Sequence, residues 1–124
     1  MKRSPALQPL SREHHAALKL AKACERAVAA GQVGETCRRV VAAFAHELEP
    51  HFHVEESELL PLLTGAEKRV LAERTLAEHA ELRALAGELR QRCGAEILQR
   101  FGRSIAAHVR FEERELFPAL EELL

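Results

Sequence analysis

The chain has no tryptophan and no tyrosine, and only five phenylalanines among its 124 residues. No phenol is therefore on hand to ligate a metal or carry a radical. Its three cysteines, Cys24, Cys37 and Cys93, are an odd number with no close pair. That argues against a disulfide framework and predicts three half-buried thiols in a reducing cytoplasm. Neither sign of charge is in excess: 18 Lys and Arg stand against 19 Asp and Glu, with no basic block. Nucleic-acid binding thus lacks electrostatic support. No apolar run approaches the ~20 residues of a membrane span. The opening Met1-Lys2-Arg3-Ser4-Pro5 lacks the apolar stretch of a secretory signal, so the expected location is the cytoplasm.

What is abundant is Ala, Leu, Glu and Arg, a composition that favours helix. The length fits one domain, 1–124, with a single core. Turn signals divide it: Ser11 as an N-cap behind Pro9, the Gly31–Gly34 stretch, Thr64-Gly65-Ala66-Glu67 as a capping box, and Gly94 as a C-cap. They predict an arm over residues 1–9 and helices near 11–30, 35–62, 66–93 and 95–122, with ends good to ~2–4 residues. Pro50 falls inside the second and predicts a kink there. Short connections make neighbours antiparallel, so the expected fold is all-α, an up-down-up-down four-helix bundle.

Two segments are near copies. One reads His51-Phe52-His53-Val54-Glu55-Glu56-Ser57-Glu58-Leu59-Leu60-Pro61; the other His108-Val109-Arg110-Phe111-Glu112-Glu113-Arg114-Glu115-Leu116-Phe117-Pro118. Residues i and i+4 share a helix face, so each segment aims one imidazole and one carboxylate the same way. Such nitrogen and oxygen donors suit iron, manganese or zinc.

Each helix also carries an inward seam. The seams run Leu7, Leu10, His14, Ala17, Ala21, Cys24, Val28; then Cys37, Val41, Phe44, Leu48, His51, Glu55, Leu59, Leu62; then Ala72, Thr75, His79, Leu82, Ala86, Leu89, Cys93; and Leu98, Phe101, Ile105, His108, Glu112, Leu116, Ala119. One His interrupts each seam, and a Glu interrupts two of them. A carboxylate at a core position is costly unless paired or metal-bound. In an antiparallel pair, residues equidistant from the turn share a layer. The midpoint of His14 and His51 lies between Gln32 and Val33, that of His51 and His79 at Gly65, and that of His79 and His108 between Cys93 and Gly94. All three fall on turns, so the four imidazoles occupy one layer. Glu55 and Glu112 stand one turn away, close enough to bridge two ions. His15 is the alternative to His14 on the first helix, either as ligand or in support behind it. His46 and His53 are rotated off the seam and read as surface residues. Glu56, Glu58, Glu113 and Glu115 read as solvated or paired with Arg and Lys.

The motifs Glu13-His14-His15, His51-x-x-x-Glu55-Glu56, Glu78-His79 and His108-x-x-x-Glu112-Glu113, in that order, resemble the hemerythrin-like (HHE cation-binding) family. The resemblance spans nearly the whole chain. It implies a non-haem di-iron centre, oxo- or hydroxo-bridged, held by His14, His51, Glu55, His79, His108 and Glu112, with manganese or zinc as substitutes. It further implies binding or sensing of O2, nitric oxide or peroxide, with a redox partner and a dry pocket lined by Leu48, Phe52, Leu82, Ile105 and Phe111. The alternatives are a small di-iron oxidase, peroxidase or nitric oxide reductase, an iron donor in stress repair, or a module whose metal only stabilises the fold. One departure stands out. Oxygen-carrying members place two His four apart on the third helix, where this chain has Thr75 and Arg83 on either side of His79.

Overall fold

The computed structural model describes residues 3–124 and forms a four-helix bundle, with no strand among those residues. The first helix spans Gln8–Ala30 and the third Ala66–Gln91. The second is composite over 34–62, and the fourth composite over 95–121. The first helix starts earlier than expected because Pro9 sits in its first turn, where no amide donor is needed. Ser11 is therefore inside the helix and caps nothing. Gly31 closes that helix in the left-handed region, φ 70°. Thr64 makes no side-chain cap, and Gly65 holds that place with φ 91°. Gly94 does not end the third helix. It precedes the fourth in an extended conformation, and Arg92 follows the third.

A proline accompanies each irregularity of the composite helices. Wide π turns occupy Phe44–Leu48, Glu55–Leu59 and Glu112–Leu116, and Pro50, Pro61 and Pro118 each follow two residues later. Proline has no N–H and its ring crowds the carbonyl four residues back. The residue before each proline instead donates to the carbonyl five back: Glu49 to Phe44, Leu60 to Glu55, Phe117 to Glu112. The irregularity expected at Pro50 thus includes a wide turn just before it.

Each π turn adds a residue to the local period, and the buried seam shifts accordingly. Beyond Glu55 the buried residues are Leu59, Leu60 and Leu63, while Leu62 is exposed. Beyond Glu112 they are Leu116, Phe117 and Leu120, and Ala119 is only half-buried. On the first helix Leu20 and Ala27 are buried and the expected Ala21 and Val28 only partly so.

Two apolar clusters result. One includes Leu20, Val40, Phe44, Leu82, Leu98, Phe101 and Ile105; the other includes Leu7, Leu10, Leu60, Leu63, Leu116, Phe117 and Leu120. Close packing of the first and fourth helices is needed near Cys24, because a Cβ on Gly102 would stand 2.9 Å from the Cys24 Cβ.

The cysteine expectation is corrected. Cys37 and Cys93 form a disulfide with Cα atoms 5.8 Å apart, tying the start of the second helix to the residue before Gly94. Their separation of 56 residues hid the pairing, which only antiparallel packing creates. Cys93 is exposed, so the three cysteines are not alike. Cys24 alone is free and buried, and burial pushes its thiol up to about 11.

Candidate metal centre

Between the apolar clusters lies a layer of buried polar side chains. The first helix supplies His14, the second His51 and Glu55, the third His79, and the fourth His108 and Glu112, all essentially withdrawn from solvent. Both glutamates are the first residues of π turns. The wider turn redirects the chain behind each carboxylate, a use to which such turns are often put at functional sites.

Two overlapping groups of donors form. His14, His51, Glu55 and Glu112 offer ligand atoms all within 4.8 Å of one another, and so do Glu55, His79, His108 and Glu112. Every Nε2 faces inward. His14 Nε2 lies 2.8 Å from Glu112 Oε1, and His51 Nε2 lies 3.0 Å from Glu55 Oε2. His79 Nε2 is 3.0 Å from Glu55 Oε1, and His108 Nε2 is 3.0 Å from Glu112 Oε2.

The last two contacts have the distance of hydrogen bonds without their direction. His79 Nε2, His108 Nε2, Glu55 Oε1 and Glu112 Oε2 are all buried and lack a hydrogen-bond partner. Orphaned buried donors and acceptors are rare because each is costly. Four of them converging on one region suit a cation better than one another. The donor set, imidazole nitrogen with carboxylate oxygen, fits a transition metal.

The outward nitrogens are all engaged. His51 Nδ1 donates to Glu13 (2.8 Å), His79 Nδ1 to Glu56 (2.7 Å), His108 Nδ1 to Glu78 (2.6 Å) and His14 Nδ1 to Glu113 (2.6 Å). The pattern is a closed ring. Each helix lends a carboxylate to the imidazole of the next, and the fourth returns to the first. A proton fixed on Nδ1 leaves the Nε2 lone pair facing the centre, the usual way in which proteins orient metal-binding histidines.

Glu56 and Glu113 are thus not merely solvated, and Glu13 and Glu78 join them. The signal was present: a Glu directly follows each buried Glu, and a Glu directly precedes each first-of-pair His. Glu56 also takes Arg83 and Glu113 takes Arg3, so the expected pairing with arginine holds for these two.

Charge within the layer is finely divided. Burial opposes the charge of His51, yet Glu112 and Glu55 outweigh it and push the imidazole up to about 11. His108 rises to about 9 against its burial, chiefly through Glu112 and Glu78. His79 is raised in the same way by Glu112 and Glu55. Burial and the neighbouring Glu112 raise the Glu55 carboxyl. Glu112 is equally buried, but the imidazoles of His108, His14, His51 and His79 that surround it hold it well below the usual range.

His15 lies on the exposed face and joins neither group; His46 and His53 are exposed too. Phe52 stacks on His79, centroids 3.9 Å apart, and Phe117 stacks on His14 at 5.1 Å. Leu48, Leu82, Ile105 and Phe111 are buried in the adjoining clusters. Thr75 is buried and gives its hydroxyl to the Leu71 carbonyl.

No helix among the described residues is long and apolar enough to cross a membrane. A family model described as the hemerythrin HHE cation binding domain matches residues 6–120. No curated protein and no solved structure matches the chain.

Proposed function

The chain belongs to the hemerythrin HHE cation-binding family, and from that premise we propose that its buried layer holds two non-haem iron ions and that it binds or senses a small oxidant: O2, nitric oxide or peroxide. His14 and His51 would hold one ion, His79 and His108 the other, with Glu55 and Glu112 shared. One observation carries this reading, namely the two overlapping donor groups with two carboxylates in common. Iron, when bound, supplies the redox and gas-binding chemistry. The chain's own part is to orient four Nε2 atoms through the outer carboxylates and to keep water out with Phe52, Phe111 and Phe117. Manganese and zinc suit the same donors.

A second reading, turnover as a small di-iron oxidase, peroxidase or nitric oxide reductase, is favoured by Thr75. Oxygen-carrying members place two His four apart on the third helix, and the two residues four from His79 here are Arg83 and Thr75, of which Thr75 is buried. The ion at His79 and His108 then has one strong donor fewer and more room for exogenous ligands.

Anaerobic reconstitution with ferrous iron, followed by metal analysis and optical spectra under O2, nitric oxide and peroxide, tests both readings. The expected stoichiometry is two ions per chain, with rapid oxidation by O2. One ion, or none, sinks the dinuclear centre. An oxygenated species that releases O2 under vacuum over many cycles would make the protein a carrier instead.

A further inference from the structure

The ring of outer carboxylates is not uniform. Three members are each covered by an arginine. Glu56 is clasped by Arg83, which also binds Glu49 and lies over the Phe52 ring. Glu78 takes Arg74, whose guanidinium sits 4.0 Å from the centroid of Phe111. Glu113 takes Arg3 and the Ser11 hydroxyl, and Arg3 reaches over Phe117. Their side chains are 24, 27 and 31% exposed. Glu13 is 53% exposed and, among the described residues, has no cationic partner except His51.

Sequence explains the difference. Arg74 reaches Glu78 from four residues before it; the residue four before Glu13 is Pro9. Arg83, which clasps Glu56 at His79, stands four after that histidine; the residue four after His51, the imidazole that Glu13 holds, is the buried Glu55.

Beside Glu13 the surface is open. A groove of about 270 Å³ between the first and second helices is lined by Glu13, Ala16, Leu20, Leu48, Pro50 and His51, among others. It therefore ends on one of the six inner donors. Two other grooves reach none of them. One lies between the first and fourth helices around Gln99 and Gly102. The other lies between the second and third, where Arg83 and Glu49 close the way inward.

We propose that the two metal positions exchange unequally: the ion held by His14 and His51 enters and leaves through the groove beside Glu13, while the ion held by His79 and His108 is shut in. This rests on the two-ion reading above. Glu13 acts here as a positioning residue. It holds His51 by one hydrogen bond that no arginine among the described residues locks, at a ring position that lines an open groove.

The full chain loaded anaerobically with ferrous iron is mixed with a chelator whose ferrous complex absorbs in the visible. The expected release has two phases of equal amplitude, the faster by at least about tenfold. Ala16→Trp, at an exposed position in the groove, should slow the fast phase about tenfold without changing iron content. Gln99→Trp, in the groove between the first and fourth helices, should leave both phases alone. Glu13→Ala should speed the fast phase by roughly 10–100-fold and spare the slow one, while Glu78→Ala should speed the slow one. Circular dichroism shows whether each variant stays helical. Release of both ions in a single phase, or an unchanged fast phase in Ala16→Trp, overturns the inference with the two-ion centre intact. A chain that retains no iron defeats the two-ion reading itself, and the inference with it.

Discussion

Glu55 and Glu112 are carboxylates that no solvent reaches. Leaving a lone buried charge costs several kcal/mol, so each must be compensated by imidazolium or by metal. Glu112→Ala removes the acceptor that faces all four imidazoles, and Glu55→Ala removes its counterpart. Both variants should stay helical while losing most of their iron, a result read by circular dichroism and metal analysis on the same sample. Full iron occupancy in both would strip these residues of a ligand role. The neighbouring histidines make a sharper comparison. His14 is buried between Glu112 and Glu113, whereas His15 is exposed. His14→Ala should weaken iron binding by tenfold or more, and His15→Ala should leave it within about twofold. The opposite ranking in metal titrations would move the first-helix ligand to His15. Spacing alone put these two on adjacent faces and could not choose between them, because a helix start misplaced by a few residues leaves the inward face undetermined. The outer ring was harder to read, since a Glu beside a Glu looks like a solvated face until the next helix is in place.

At the scale of elements, the π turns decide which side chains are buried. Seams at the ordinary helical period hold from Phe44 to Glu55 and from Leu98 to Glu112, then fail by one residue at Leu60 and Phe117. The cause was legible as a proline six residues after each glutamate, but a strict period has no place for a wider turn. Which force keeps the turn open can be decided by magnitude. Replacing a helix-interior proline by alanine favours regular helix by up to ~3 kcal/mol. Returning to the regular register would expose Phe117 and Leu120, each worth ~1.5–3 kcal/mol when buried. Burial outweighs propensity, so Pro118→Ala should keep the turn, raise the melting temperature by a few degrees and leave iron content unchanged. Loss of iron with retained helicity would show that proline, not packing, holds Glu112 in place.

For the molecule as a whole, the centre couples folding to pH. In protein stripped of metal, His108 and His51 titrate near 9 and 11 when folded, against about 6.5 when unfolded. A raised folded value gives stability that is complete below pH ~6.5 and is lost as pH climbs through 9 and then 11, at about 1.4 kcal/mol per unit per group. The raised Glu55 carboxyl acts in the same sense. The depressed Glu112 acts oppositely, but only near and below the ordinary carboxylate range. Chelator-treated protein should therefore melt several degrees lower at pH 9 than at pH 6. The iron-loaded protein should show a flatter profile and bind metal more tightly at the higher pH, because Nε2 must be free of its proton. Identical melting temperatures for the stripped protein at both values would refute this account of the layer. The four-helix topology and the shared layer were readable from turn midpoints. The disulfide was not, because proximity of Cys37 and Cys93 is a property of the packed bundle rather than of either segment.

The order of the carboxylate ring divides the chain into two interlocking hairpins. Inside each, the acid beside the first histidine steadies the second: Glu13 with His51, Glu78 with His108. Across the divide, each hairpin reaches out to the other's first histidine: Glu56 to His79, Glu113 to His14. Neither hairpin is self-sufficient, and each carries what its counterpart lacks. The turn at Thr64 and Gly65 then serves as a tether, not as part of the machinery. A polypeptide of about half this length, bearing the pattern once, could satisfy every one of these bonds by pairing with a copy of itself about a two-fold axis.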